Sequence, residues 1–142
     1  MNDQFDLKRY HEAQARYYQP ALEEIKEGLK RTHWMWFIFP QIKGLGRSST
    51  AQYYAISCLD EARAYLNDEV LALRLLEISE ALLQHSDKSA FSIFGGTDAM
   101  KLRSSMTLFD MVSPGDVFDK VLNVYFGGKR DGRTVEIIEL PF

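Results

Sequence analysis

Residues 32–50 read THWMWFIFPQIKGLGRSST, a segment with neither the 3.6-residue period of a helix nor the alternation of a strand. Its apolar first half and the turn formers that follow predict a buried irregular segment with a loop. The turn formers are Pro40, Gly44 and Gly46. The hydroxyl residues at 48–50 can cap the next helix, so the segment separates helical stretches on either side.

Before this segment, Pro20 is expected to open a helix, because a proline suits the first turn, where its missing N–H would be unpaired anyway. The buried face would hold Leu22, Ile25 and Leu29, and the solvent face Glu23, Glu24, Lys26, Glu27 and Lys30. A separate short helix is expected at residues 5–11.

Beyond residue 50 the pattern predicts further helices and the breaks between them. The first would run unbroken to about Leu66, and the second would end near Gln84. The expected breaks and caps are Asn67-Asp68, Thr97, Ser113-Pro114-Gly115 and Gly127-Gly128. The tail RTVEIIELPF alternates like a strand, but no second strand is evident to pair with it, so a short terminal helix is expected.

Two apolar stripes at helical spacing predict which faces of the later helices are buried. They are Leu71, Leu75, Ile78 and Leu82 in one helix, and Leu102, Met106 and Phe109 in the next long one. Together with the absence of paired strand signals, these patterns predict an all-α fold.

The length of 142 residues fits one domain spanning 1–142, and 46% hydrophobic with 26% charged residues is an ordinary globular balance. The charge of −3, from 17 basic and 20 acidic residues, argues against nucleic acid or an anionic membrane as a partner. A single cysteine, Cys58, has no partner in the chain, which favours a reducing compartment. With no signal or membrane-spanning segment evident, the protein is expected to be cytoplasmic.

Standard catalytic and metal-binding spacings are not found. The three histidines at 11, 33 and 85 never approach metal-ligand spacing, and one cysteine cannot form a cysteine-pair zinc site. We therefore expect no metal and assign no catalytic residue and no cofactor. Whether the protein is an enzyme, and its oligomeric state, stay open at this point.

Aromatic residues are densest in and just after the segment at residues 32–50. They are Trp34, Trp36, Phe37, Phe39, Tyr53 and Tyr54. Packing in the core is one interpretation, because each ring removes a large area from water. It does not explain the polar residues His33, Gln41 and Arg47 among them, which would suit a ligand pocket.

The turn after the aromatic run has the chemistry of an anion site. Gly44 and Gly46 allow close backbone approach, Ser48 leads into a helix N-terminus that favours anions, and Arg47 could clamp a phosphate or carboxylate. The turn matches neither a Walker loop nor the dinucleotide fingerprint. A plain turn with a helix cap and a solvated arginine is the open alternative.

A second polar cluster follows Gly95-Gly96. Lys101, Arg103 and Ser104 lie on one helix there and could close a pocket formed by residues 33–54. An Asp98–Lys101 pair on the solvent side is the alternative. The complete set of expected ligand-binding residues is His33, Trp34, Trp36, Gln41, Gly44, Gly46, Arg47, Ser48, Tyr54, Lys101, Arg103 and Ser104.

Two functions of different classes fit these residues. The first is binding of a small anionic, nucleotide-like ligand in an aromatic-lined pocket. The second is a protein-interaction module that presents Trp34, Trp36 and Phe39 on its surface. A recessed Trp36 would favour the ligand, and a flat exposed aromatic patch would favour the partner.

Three blocks of sequence resemble a family of small bacterial proteins catalogued as domain of unknown function 1810. They are HWMWFIFPQIKGLGRS at 33–48, FGGTDAMKLRSSMTLF at 94–109 and FGGKRD at 126–131. The resemblance covers nearly the whole chain. It implies a mainly helical single domain and no established activity.

The order of Trp36 and the STAQYY helix opening at 49–54 is also similar to the NADAR superfamily, which is associated with NAD and ADP-ribose metabolism. Ala51-Gln52 stands where that family places a Glu-His pair, and no lysine follows in the same helix. This likeness implies a nucleotide-like ligand, possibly related to ADP-ribose, without the acid–base chemistry of that pair.

Overall fold

The structure is a computed structural model that describes residues 4–139 of the chain. That part is all-α, as the sequence predicted. Its helices are α1 (Lys8–Glu27), α2 (Met35–Ile38), α3 (Ser49–Tyr54), α4 (Leu59–Asn67), α5 (Glu69–Leu82), α6 (Ala90–Phe94), α7 (Gly96–Val112), α8 (Val117–Phe126) and α9 (Gly132–Glu139). None of the helices within residues 4–139 has the length and apolar character needed to cross a bilayer.

Helix α1 is one continuous helix, so the prediction of a helix opening at Pro20 and a separate one at 5–11 was wrong. Pro20 lies inside α1, where it removes one backbone hydrogen bond. The buried face of α1 continues through Tyr10 and Ile25 on both sides of the proline, and its packing against α5 and α2 compensates for that loss. Gly28 then ends α1 with a φ of 83°, which a side chain would disfavour.

The charged face predicted for this helix was also partly wrong. Leu29, expected in the core, follows Gly28 outside the helix and is 47% exposed. Glu24, expected in solvent, is buried, and the Lys30 side chain is only 8% exposed. The left-handed turn at Gly28 explains the placement of residues 29 and 30, because it redirects them away from the helical pattern. Glu24 lies within α1, on its buried face.

Within residues 32–50, the stretch 34–42 is mostly buried and contains the single turn of α2, and residues 43–48 form a largely exposed loop that leads into α3, as predicted. The helix expected from there to Leu66 is instead two helices, α3 and α4. Between them, Ile56 forms a parallel bridge with Ile42, donating to the Gln41 carbonyl at 2.8 Å and accepting from the Lys43 N–H at 2.8 Å. This pairing takes the backbone amide and carbonyl that a continuous helix would use. Cys58 is consequently not inside a helix but exposed at the N-cap of α4.

The later helices agree with their predicted stripes. All seven stripe residues of α5 and α7 are buried, and Asp68 caps α5 by accepting from the Leu71 N–H at 3.0 Å. Thr97 is not a cap, however: α7 begins one residue earlier, after Gly95. The expected terminal helix is α9, and its predicted last residues at 140–142 lie outside the described part.

Buried polar side chains of α1 hold the α3–α4 connection in place. Arg9 donates to the carbonyls of Tyr53 and Ala55 at 2.9 and 3.0 Å and pairs with the buried Glu61 carboxylate at 2.9 Å. Tyr10 donates to the Tyr54 carbonyl at 2.6 Å. The aromatic residues at the end of α3 are therefore fixed against the core by their backbone.

Candidate functional site

A charged cluster lies where residues 30–36 meet the start of α7. Asp98 of α7 accepts from Lys30 Nζ at 2.9 Å and lies 3.5 Å from Lys101 Nζ. Each lysine also lies over a tryptophan ring: Lys30 Nζ is 5.0 Å from the Trp34 ring centroid, and Lys101 Nζ is 5.5 Å from that of Trp36. Two ammonium groups thus share one carboxylate on an aromatic base.

This cluster lines a cavity of about 350 Å³, a volume within the usual range for small-molecule pockets. One wall is formed by residues from Lys30 to Trp36, with His33 exposed at the rim. The other wall is formed by Phe94, the glycines that precede α7, and the first residues of that helix. The cavity is therefore built from two segments that are distant in sequence.

The start of α7 contributes backbone donors to the same cavity. Gly95 is the N-cap of this 17-residue helix and provides no side chain to cap it. The N–H groups in the first turn of a helix have no intrahelical acceptor, and the helix dipole favours negative charge there. Gly96 and Thr97, which carry two of these N–H groups, line the cavity.

Glu24 of α1 holds the tryptophan-bearing wall in position. Its carboxylate accepts from the backbone N–H groups of Arg31 and Thr32 at 2.7 and 3.1 Å, from the Thr32 hydroxyl at 2.6 Å and from the Trp34 indole at 3.0 Å. Burial alone would raise the pKa of Glu24, but these hydrogen bonds to the ionised form outweigh it and lower the pKa to about 2. Trp34 is thereby fixed as a fully buried floor of the cavity.

Trp36 lies at the junction of this cavity and two neighbouring spaces. It is half-buried, and its indole N–H has no hydrogen-bond partner among residues 4–139. Together with Lys101, it also lines a narrow crevice of about 30 Å³ that includes Gln41, Gly46 and Tyr54. Burial raises the pKa of Tyr54 above its ordinary value, so its phenol keeps its proton at neutral pH.

The structure thus brings together seven of the expected binding residues. His33, Trp34, Trp36 and Lys101 line the larger cavity, and Gln41, Gly46 and Tyr54 join Trp36 and Lys101 at the crevice. Gly46 has a packing reason of its own, because a Cβ there would lie 2.5 Å from the Cβ of Ala51.

The other residues expected in the anion-binding turn, Gly44, Arg47 and Ser48, line neither the cavity nor the crevice. Arg47 is exposed, and neither of these two spaces is lined by it. Ser48 caps α3 by accepting from the Ala51 N–H at 3.0 Å, and α3 has only six residues. Gly44 has a φ of 107° and lies beside Ile137 of α9.

Arg103 and Ser104 lie on another side of α7. Arg103 donates to the carbonyls of Lys129 and Arg130 at 2.9 and 2.7 Å, and Ser104 Oγ lies 3.2 Å from a carboxylate oxygen of Asp131. These contacts fasten the loop between α8 and α9, and neither residue lines the cavity.

The aromatic surface expected for a protein-interaction module is not present. Trp34 and Phe39 are fully buried, in contact with Phe94, and only Trp36 of the three reaches solvent. The expectation failed because Trp34 has a buried acceptor, Glu24, for its indole N–H, so its whole side chain can leave water.

Sequence reasoning missed Glu24 and Lys30. It named an Asp98–Lys101 pair as an alternative, and the structure has that pair at 3.5 Å, but the contact of Asp98 with Lys30 was not predicted. Glu24 falls three residues after the buried Ala21, so its position on the buried face was readable from helical spacing. Lys30 carried no comparable signal, because its place depends on the turn at Gly28.

The fold and the site define a class: an all-α protein with a cavity in which paired lysines lie over tryptophan rings. The sequence profile of a family described as Protein of unknown function (DUF1810) matches residues 4–138, and the chain belongs to this family. It is similar to a solved crystal structure, that of the conserved hypothetical protein Rv1873 from Mycobacterium tuberculosis. That similarity has 46% identity and a TM-score of 0.95 and covers 98% of this chain and 100% of the other. No curated protein matches the chain.

Proposed function

We propose that this protein binds a small anionic, nucleotide-like ligand of the ADP-ribose type in the cavity lined by Trp36 and Lys101. The observation that carries the proposal is the cluster of Lys30 and Lys101 around the single carboxylate of Asp98. Among the charged side chains that line this cavity of ligand size, two are lysines and one is a carboxylate.

The neighbouring groups support an anion with a sugar or ring attached. The first-turn N–H groups of α7 suit phosphate oxygens, because they are donors at the positive end of a long helix. The half-buried Trp36 offers an apolar face and an indole donor beside them. The resemblance to the NADAR superfamily is what suggests ADP-ribose among such ligands.

The test is isothermal titration calorimetry with ADP-ribose on the full chain. We expect Lys101→Ala to weaken binding by about 1.5 to 3 kcal/mol, the usual contribution of a hydrogen bond to a charged group. The matched control is Lys120→Ala, which removes the same charge from an exposed site on α8 and should leave affinity unchanged.

Arg47→Ala distinguishes this cavity from the turn at residues 44–50. Because Arg47 is exposed and lies outside the cavity lining, its loss should alter affinity by less than about twofold, as expected for a surface charge. The proposal fails if wild type shows no binding at millimolar ADP-ribose, or if Lys101→Ala and Lys120→Ala bind equally well.

A further inference from the structure

A second and wider cavity, of about 570 Å³, opens on the other side of Trp36. It shares Trp36 and His33 with the lysine-bearing cavity, so the two spaces adjoin at these side chains. Its remaining walls come from α1, α2 and α3. We call it the aromatic groove.

The walls of the aromatic groove are rings that the core does not cover. Tyr53 is 57% exposed and contacts the half-buried Tyr54, and Tyr17 is 43% exposed and contacts the buried Phe37. The Tyr53 ring meets the Tyr54 ring edge-on at 4.8 Å, and the Tyr17 ring lies 5.5 Å from that of Phe37. These contacts hold the rings in place at the surface, together with the hydrogen bond that the Arg9 side chain donates to the Tyr53 carbonyl.

Rings fixed in this way suit a planar aromatic ligand. Little side-chain entropy is lost when a flat molecule stacks on tyrosines that are already held. The hydroxyl groups of Ser49 and Thr50 also line the groove and can bond to the polar edge of such a molecule. A ligand without polar groups would leave these hydroxyls without a partner.

We propose that the aromatic groove is a stacking subsite for the heteroaromatic base of the same ligand whose phosphate lies at Lys101. This inference rests on the proposed function and deepens it by assigning the ligand a direction: phosphate on the lysine side of Trp36, base on the tyrosine side. The charge asymmetry supports that direction. The lysine cluster lines one cavity, and no lysine, arginine or carboxylate of residues 4–139 lines the other.

The experiment compares two probes that differ only by the base, adenosine 5′-monophosphate and ribose 5-phosphate, in calorimetric titrations of the full chain. We expect the nucleotide to bind wild type about tenfold more tightly, which is in the range of one base stacked on aromatic side chains. Lys101→Ala should weaken both probes.

Two double variants then isolate the rings. Tyr17→Ala with Tyr53→Ala should remove most of the nucleotide's advantage and leave ribose 5-phosphate unchanged, whereas Tyr17→Phe with Tyr53→Phe should retain the advantage. Both positions are exposed, so the fold should tolerate the changes. The exposed Leu73→Ala on α5 is the control and should alter neither probe.

The outcomes separate this inference from the proposed function. Equal affinity of the two probes for wild type, or equal losses in the double alanine variant, would overturn the stacking subsite and leave the phosphate site standing. Free adenosine that binds wild type as tightly as the nucleotide does would show that the base and a phosphate at Lys101 do not belong to one bound ligand, which also overturns it. If neither probe binds at millimolar concentration, both proposals fall.

Discussion

Asp98 stands between the two lysines of the cavity, so a phosphate that enters must compete with a carboxylate already in place. The Lys30 ammonium is held more firmly beside that carboxylate than the Lys101 ammonium is. It also donates to the Thr32 carbonyl at 2.5 Å, and its side chain is only 8% exposed. Lys101 is therefore the cation with more freedom to turn toward a ligand.

Asp98→Asn should increase the affinity for ADP-ribose by about fivefold, because it removes a competing negative charge at short range in a partly buried site. Calorimetry on the variant measures this. Asp60→Asn, an equal change of net charge at an exposed site on α4, should have little effect. A loss of affinity in Asp98→Asn would show instead that the carboxylate bonds to the ligand.

Some residues that line the cavity could be predicted from the sequence, and others could not. Trp36 and Lys101 were both predicted in the pocket, and the structure brings them within 5.5 Å, ring centroid to Nζ. Lys30 could not be predicted, because the positive φ of Gly28 decides where it lies. A local pattern does not show what a turn will bring into contact.

Among the helices, α5 offers the most direct test of the predicted buried face, because it carries both a buried and an exposed leucine. Leu75→Ala should reduce the free energy of unfolding by about 2 to 5 kcal/mol, because the side chain is 1% exposed and its loss leaves a cavity. Leu73→Ala on the same helix, at a position 62% exposed, should cost less than about 0.5 kcal/mol. Denaturant unfolding of both variants gives the comparison, and similar losses would contradict the assigned face.

The elements that were predicted wrongly share a cause. Pro20 is a local signal for a helix start that long-range packing of α1 overrides. The α3–α4 break is also set at long range, by the bridge between Ile56 and Ile42. A local contact also marks the start of α4: the carboxylate of Glu61, in its first turn, accepts from the Ser57 N–H at 2.7 Å.

On the scale of the whole molecule, the site and the fold depend on the same carboxylate. Glu24 joins α1 to the segment that carries Trp34 and Lys30, and its pKa is lowered from 4.5 to about 2 in the folded protein. A lowered pKa stabilises the fold fully above the unfolded value, and that contribution is lost as pH falls from about 4.5 toward 2. Its size is about 3 kcal/mol.

Unfolding free energies of wild type and Glu24→Gln, measured between pH 7 and pH 2.5, should therefore converge as the pH falls. Glu23→Gln is the matched control, because it removes the same charge from an exposed position on the same helix that lies outside the hydrogen bonds of Glu24. A difference between wild type and Glu24→Gln that stayed constant with pH would contradict the role of this carboxylate.

The two tryptophans differ in their exposure to solvent, so their intrinsic fluorescence can be used to follow different parts of the molecule. Trp34 is sealed in the core with its indole bonded to a carboxylate, whereas Trp36 reaches solvent beneath an ammonium group. Emission from Trp36 therefore reports on occupancy of the cavity and the groove. Emission from Trp34, the buried floor of the cavity, responds to unfolding as well as to a ligand there. A soluble quencher such as iodide reaches only Trp36, so the two signals can be separated without an added label.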